Sequence, residues 1–285
     1  MIALVIRNLK IFFRDRAAVF FSLLTVFIII GLYALFLGDT VASGMEGEGL
    51  SALIGSWIVS GLLAVISMTS TLGALGAMVD DRAKKISKDF VVSPIGRGAI
   101  SGGYILSAFA IGVIMSLVTL LLGEIYIYAS GGELLTFVQL LKVLGGIVLA
   151  VFSSSAIVLL VVSFVKSQNA YTALSITVGT LIGFLTGVYI PMGVLHESVQ
   201  TVIKCFPVTY PAVYFRNIFM ERPMEITFDG APAEVVKAFE KEMGINFEIA
   251  GIETSLALCA IVMLCVGIIF YLLAVLNMSR KKKSY

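Results

Sequence analysis

The chain is expected to be an all-α polytopic membrane protein with six transmembrane helices, both termini on the cytoplasmic side. Three observations lead there. Hydrophobic residues make up 59% of the 285 and charged residues only 13%, about half the roughly 25% charge of soluble domains. Six apolar runs approach or exceed the ~20 residues a helix needs to cross the hydrocarbon core. The basic residues gather between alternate runs, the bias that sets membrane orientation.

The six runs are Val19–Leu37, Ala52–Met78, Ile100–Tyr128, Leu140–Val165, Tyr171–Ile190 and Thr254–Leu276, with "KSQNA" as a tight turn between the fourth and fifth. A cytoplasmic N-terminus places fourteen of the 20 basic residues inside. They are Arg7, Lys10, Arg14 and Arg16; Arg82, Lys84, Lys85, Lys88 and Arg97; Lys166; and Arg280, Lys281, Lys282 and Lys283 of a basic tail at 277–285. The first run follows four basic residues and is too long for the apolar core of a cleavable leader, so it is expected to stay as an anchor.

Residues 1–18 form an amphipathic helix before the first span. Arg7, Lys10 and Arg14 share one face, with Val5, Leu9, Phe12 and Phe13 toward the other. Two readings stand: ordinary positive flanking of the first span, or an elbow helix lying along the inner leaflet.

Residues 79–99, containing "DDRAKKISKDFVVSPIGRGAI", are a charged interruption between the second and third spans. Asp80 and Asp81 suit a helix N-terminus. Ile86, Phe90 and Val91 recur on one side among Lys84, Lys85, Lys88 and Asp89, and Pro94 ends the helix. The element lies on lipid headgroups or docks a cytoplasmic partner.

Residues 191–251 divide in two. "GVLHESVQTVIKCFPVTYPAVYFRNIFM" is too polar to span and too apolar for a free loop, which fits a re-entrant outer hairpin. "APAEVVKAFEKEMG" predicts a short helix, with Pro232 in its first turn, Gly244 at its end, and Val235, Val236, Phe239 and Met243 on one face.

Several functions are excluded or weakened. "ISGGY" and "ASGGE" look like a nucleotide-binding signature, but the chain has no Gly-Lys dipeptide and hence no phosphate-binding loop. Cys205, Cys259 and Cys265 form no disulfide framework, and with His196 they match no metal spacing. His196 beside Glu197 is a lone pair of residues, not a catalytic set. The spans lack the ionisable cluster expected of an intramembrane enzyme or ion-coupled carrier. The bilayer, not nucleic acid, is the expected environment.

Two faces stand out. Ser56, Ser60, Ala64, Ser67 and Thr71 form a small-residue stripe on the second span, and Gly179, Gly183 and Gly187 repeat at i+4 on the fifth. Such stripes permit close helix approach. They serve packing within one bundle, or meet across a dimer and line a cavity.

The basic elbow, the six spans, "FPVTYPAVYFR" after the fifth, and Val91, Val92, Ser93, Pro94 and Arg97 between the second and third together resemble a permease of the type-two ATP-binding-cassette (ABC) transporters. The run "DDRAKKIS" departs from the Glu-Arg-Glu opening many members have. The resemblance implies a permease in the inner or plasma membrane, paired with a second copy or a paralogue and with cytoplasmic ABC ATPase subunits. ATP and magnesium would reside on those ATPases, with no cofactor in this chain. It makes 79–99 a coupling loop whose cytoplasmic helix contacts the ATPase through Ile86, Phe90 and Val91 and is oriented by Arg82, Lys84, Lys85 and Asp89. It puts the second and fifth spans at the dimer seam and makes Pro207, Tyr210 and Pro211 part of an outer gate. The expected activity is export of an amphipathic or hydrophobic substrate. A non-transporting scaffold is the alternative from another class, and a secondary transporter a third.

Overall fold

The computed structural model describes residues 1–37, 49–86, 97–249 and 251–280. Helix follows helix, because in lipid a backbone N–H or C=O must be satisfied within the chain itself. α1 (Ile2–Arg14) meets α2 (Arg16–Leu32) at a bend of 58°, and α2 continues as a π-turn over Tyr33–Leu37. The long helices follow: α3 (Leu50–Ala83), α4 (Arg97–Ala129), α5 (Phe137–Phe164) and the shorter α6 (Gln168–Leu185). Then come α7 (Glu197–Cys205), α8 (Thr209–Phe219), α9 (Glu221–Thr227) and α10 (Ala233–Met243). A two-residue hairpin, β1 (Glu248–Ile249) with antiparallel β2 (Ile252–Glu253), leads into α11 (Leu256–Arg280).

Among the described residues, α3, α4, α5 and α11 are each long and apolar enough to cross a membrane, and α1 with α2 adds a fifth if the bent pair is one span. The sequence led to an expectation of six. The shortfall is at the fifth run, where α6 has 18 residues, about 27 Å of helix. It stops at Leu185 because the next residues form a Schellman cap. Val188 N donates to Gly183 O at 2.9 Å and Gly187 N to Phe184 O at 3.1 Å, with Gly187 at φ +67°. Glycine reaches that left-handed conformation without a Cβ clash.

α3 is the hub. The most apolar window of α3 is 89% buried within the chain, against 22% for α11. α3 packs on α4, α5, α6 and α8; α11 lies along α5, and α1 lies across α4. At 34 residues, α3 is about 51 Å long against a hydrocarbon core of about 30 Å. Its polar last turn, Asp80–Ala83, therefore projects beyond the core.

Local chemistry sets the boundaries. Thr136 and Gln139 form a reciprocal capping box at the start of α5. In the "KSQNA" turn Ser167 caps α6 by accepting from Ala170 N at 3.3 Å. α10 runs between Pro232 and Gly244, as its sequence predicts, with Phe239 and Met243 buried but Val235 exposed. His196 caps α7, its Nδ1 accepting from Ser198 N at 3.3 Å.

Candidate functional site

The two ends of α3 carry the polar chemistry. At its C-terminal end Arg7 of α1 grips Asp81 with two parallel bonds, Nη1 to Oδ2 at 2.7 Å and Nη2 to Oδ1 at 2.8 Å. The Tyr104 hydroxyl of α4 donates to the same carboxylate at 2.5 Å. Asn8 Nδ2 donates to Ser107 Oγ at 3.1 Å, a second tie between α1 and α4. Burial pushes the Asp81 carboxyl up, but the bonds from Arg7 and Tyr104 and the Arg7 charge outweigh it and hold the group below the usual carboxylate range. Arg7 is thus turned inward rather than sharing a solvent face with Lys10 and Arg14.

This corrects the expectation that Asp80 and Asp81 open a new helix. They lie on the last turn of α3, which runs unbroken to Ala83. Acids are unfavourable there against the helix dipole. Arg7 and Tyr104 compensate Asp81, while Lys84 Nζ reaches Asp80 Oδ2 at 2.6 Å. The helix is stopped by Lys85 in the left-handed conformation, φ +63°, a position that costs a side-chain-bearing residue about 1–2 kcal/mol. Arg82 is half-buried, Lys84 and Lys85 are exposed, and Ile86 is half-buried. Asp89, Phe90 and Val91 lie outside the described residues, as does most of the tail at 277–285.

The second-span stripe is spent inside the protomer. Ser56, Ser60, Ser67 and Thr71 are all 0–1% exposed in the single chain. Ser67 Oγ meets Ser154 Oγ of α5 at 3.3 Å, and a Cβ on Gly112 of α4 would fall 2.8 Å from Thr71 Cγ2. These residues let three helices approach within one bundle, and none is free to meet a second protomer.

The glycine row also divides. Gly179 faces open space, Gly183 is covered by the ring of the chain's own Tyr189, and Gly187 belongs to the cap beyond α6. They do not form one continuous open stripe. The i+4 spacing hides the helix stop.

The other end of α3 is held by a knot the sequence reading missed. Arg216 of α8 is 2% exposed. Its Nη1 donates to Gly244 O at 3.2 Å, and its Nη2 to Thr186 O at 2.9 Å and Gly187 O at 3.2 Å. The guanidinium lies 4.9 Å from the centroid of the Trp57 ring, and no carboxylate pairs with it among the described residues. Trp57 Nε1 donates to Met243 O at 2.8 Å, and the Tyr33 hydroxyl to Val188 O at 2.7 Å. α2, α3, α8, the turn after α6 and the end of α10 thereby converge. The available signal was one cation inside the apolar "PAVYFRNIFM", which, if buried, must find acceptors.

The expected gate residues lie beside this knot. Pro207 is in the turn between α7 and α8, and Pro211 is buried in the first turn of α8. The Tyr210 hydroxyl donates to Lys204 O at 3.3 Å while its ring meets Phe247 edge-on. Thr209 Oγ1 reaches the carbonyls of Leu185 at 2.9 Å and Ile203 at 2.8 Å, joining the end of α6 to this hairpin. α8 is buried along most of its length against α3, α5 and α11.

The family model described as ABC-2 family transporter protein matches residues 47–276. No curated protein matches the chain. The match covers α3 through nearly all of α11, so Asp81, Tyr104, Trp57 and Arg216 fall within it, while Arg7 and Tyr33 lie before it. With several apolar helices of spanning length packed around α3, the chain belongs to the ABC-2 transporter family as a transmembrane permease subunit.

Proposed function

We propose that this permease is the membrane half of an ATP-driven exporter of amphipathic or hydrophobic cargo such as a drug, antibiotic, peptide or lipid. It works as a pair with a second copy or a paralogue, on two separate cytoplasmic ATPases, and both its termini are cytoplasmic. The observation that carries this reading is the family match over residues 47–276. The architecture is in keeping with it, because α3 and α4 are continuous rods on either side of the polar loop, each near 50 Å by helical rise. A displacement of the loop end of α3 itself, at Ala83, reaches the Arg216–Trp57 knot along unbroken helix.

The pairing face is proposed on α6, since the α3 stripe is consumed within the protomer. α6 packs on α3 by one side only. Its other side leaves Ile176, Thr177, Thr180 and Leu181 exposed, and the two threonine hydroxyls bond to their own helix carbonyls. Such a surface makes few demands and allows close contact. ATP hydrolysis belongs to the partner.

The test is purification of the tagged full chain in mild detergent from its native cells, with identification of co-purifying proteins, beside Phe90→Glu. A stoichiometric ATPase that is lost in the variant supports the reading. A well-folded parent preparation with no ATPase contradicts it and favours a scaffold.

A further inference from the structure

At the loop end of α3, three elements converge on one carboxylate. Asp81 is 3% exposed and receives Arg7 from 74 positions away and Tyr104 from 23 positions away. Helix formation gives no reason for an acid there, because the C-terminal dipole disfavours it. A bidentate guanidinium–carboxylate pair fixes orientation as well as distance. Arg7 Nη1 also donates to Asn8 Oδ1 at 3.1 Å, and Asn8 binds Ser107 on α4. α1 is therefore fastened to the helix that enters the polar loop and to the helix that leaves it.

We infer that Arg7, Asp81 and Tyr104 are positioning residues that make α1 and the two stems of the loop move as one body. This rests on the exporter reading, in which an ATPase displaces the loop. Without the latch, a push on residues 84–96 is absorbed where Lys85 breaks the helix. With it, the same push drags α1 and turns α4, so the nucleotide state of the partner reaches α1 and α4 as well as α3. None of the three residues needs to touch the ATPase or cargo.

The experiment uses the full chain co-purified with its ATPase. Backbone hydrogen exchange is compared with and without a non-hydrolysable ATP analogue, for the parent, Asp81→Asn, Tyr104→Phe and the exchanged pair Arg7→Asp with Asp81→Arg. In the parent, nucleotide changes exchange in 79–99 and in α1 together. In Asp81→Asn and Tyr104→Phe the change in 79–99 persists while that in α1 shrinks by about tenfold, within the range of ordinary coupling energies. The exchanged pair restores the α1 response. A structural role alone alters baseline exchange but not the nucleotide-dependent difference, and Tyr104→Phe removes one hydroxyl and leaves the fold intact. An α1 response that survives in Asp81→Asn and Tyr104→Phe overturns the latch and leaves the exporter reading standing. A parent complex without an ATPase, or without a nucleotide response in 79–99, overturns both.

Discussion

Replacing Arg216 by methionine keeps much of the apolar stem and removes the charged fork. The carbonyls of Thr186, Gly187 and Gly244 lose their donors, and Trp57 loses the cation over its ring. Each buried acceptor left unsatisfied costs about 1–3 kcal/mol, and a desolvated cation–π contact contributes about 2 kcal/mol. Against this, the variant escapes the several kcal/mol of desolvation borne by a buried cation. The acceptors decide the sign, because they belong to the backbone and remain in place after the substitution. The expected net destabilisation is about 3 kcal/mol. Arg216→Lys keeps the charge, but one ammonium cannot span the turn after α6 and the end of α10, so about half that loss is expected. Trp57 is the only tryptophan, so denaturant unfolding in detergent followed by its fluorescence reports on the knot directly. Arg216→Met as stable as the parent within about 0.5 kcal/mol, with unchanged emission, would refute this account.

Three further predictions concern other parts of the chain. The glycines of α6 and its cap should rank by environment in the same unfolding assay. Gly179→Ala, into open space, stabilises by about 0.4–1 kcal/mol. Gly187→Ala, at φ +67°, costs about 1–2 kcal/mol. Gly183→Ala, whose Cβ would fall 2.2 Å from the Tyr189 ring, costs about 1–3 kcal/mol. Equal effects at all three would restore the single-stripe reading. For Asp81, the folded carboxyl lies below its ordinary range, so its stabilisation is complete above the unfolded value near 3.9 and fades as pH falls through the lower folded value. The stability difference between the parent and Asp81→Asn should therefore stay flat from about pH 7 to pH 5 and shrink only below that. A difference that changes between pH 5 and 7 contradicts the assignment. Finally, Phe90→Glu should abolish ATPase association without lowering the amount of chain inserted in the membrane, and normal association in pull-down would remove the loop from the coupling role.

The elements most legible in the sequence were those governed by local rules. Long apolar runs became α3, α4, α5 and α11 within a few residues of their expected limits. Pro232 and Gly244 framed α10, and the "KSQNA" turn fell where its polarity put it. Elements governed by distant partners were not legible. Asp80 and Asp81 read as a helix start because nothing nearby revealed Arg7 on the far side of two helices. Gly187 continued the i+4 spacing of Gly179 and Gly183, and periodicity alone cannot separate a packing glycine from the residue that reverses the chain. The Ser and Thr stripe of α3 reads as a close-contact face, but which neighbour it contacts is a tertiary fact, and here the neighbours are within the chain. Arg216 is one more charge in a mixed polar and apolar stretch when read locally, and only its tertiary burial makes it the centre of the knot.

The most direct test of the central claim, that the polar loop is where an ATPase takes hold of this permease, is site-specific cross-linking in intact cells. A photo-reactive side chain is placed at Phe90 and, as a control, at Phe137, which is exposed at the opposite end of the bundle from Asp81. The account predicts a covalent adduct with a nucleotide-binding ATPase from position 90 and none from position 137. Adducts from position 90 with lipid alone, or with no ATPase under conditions where the chain is folded and inserted, would contradict it.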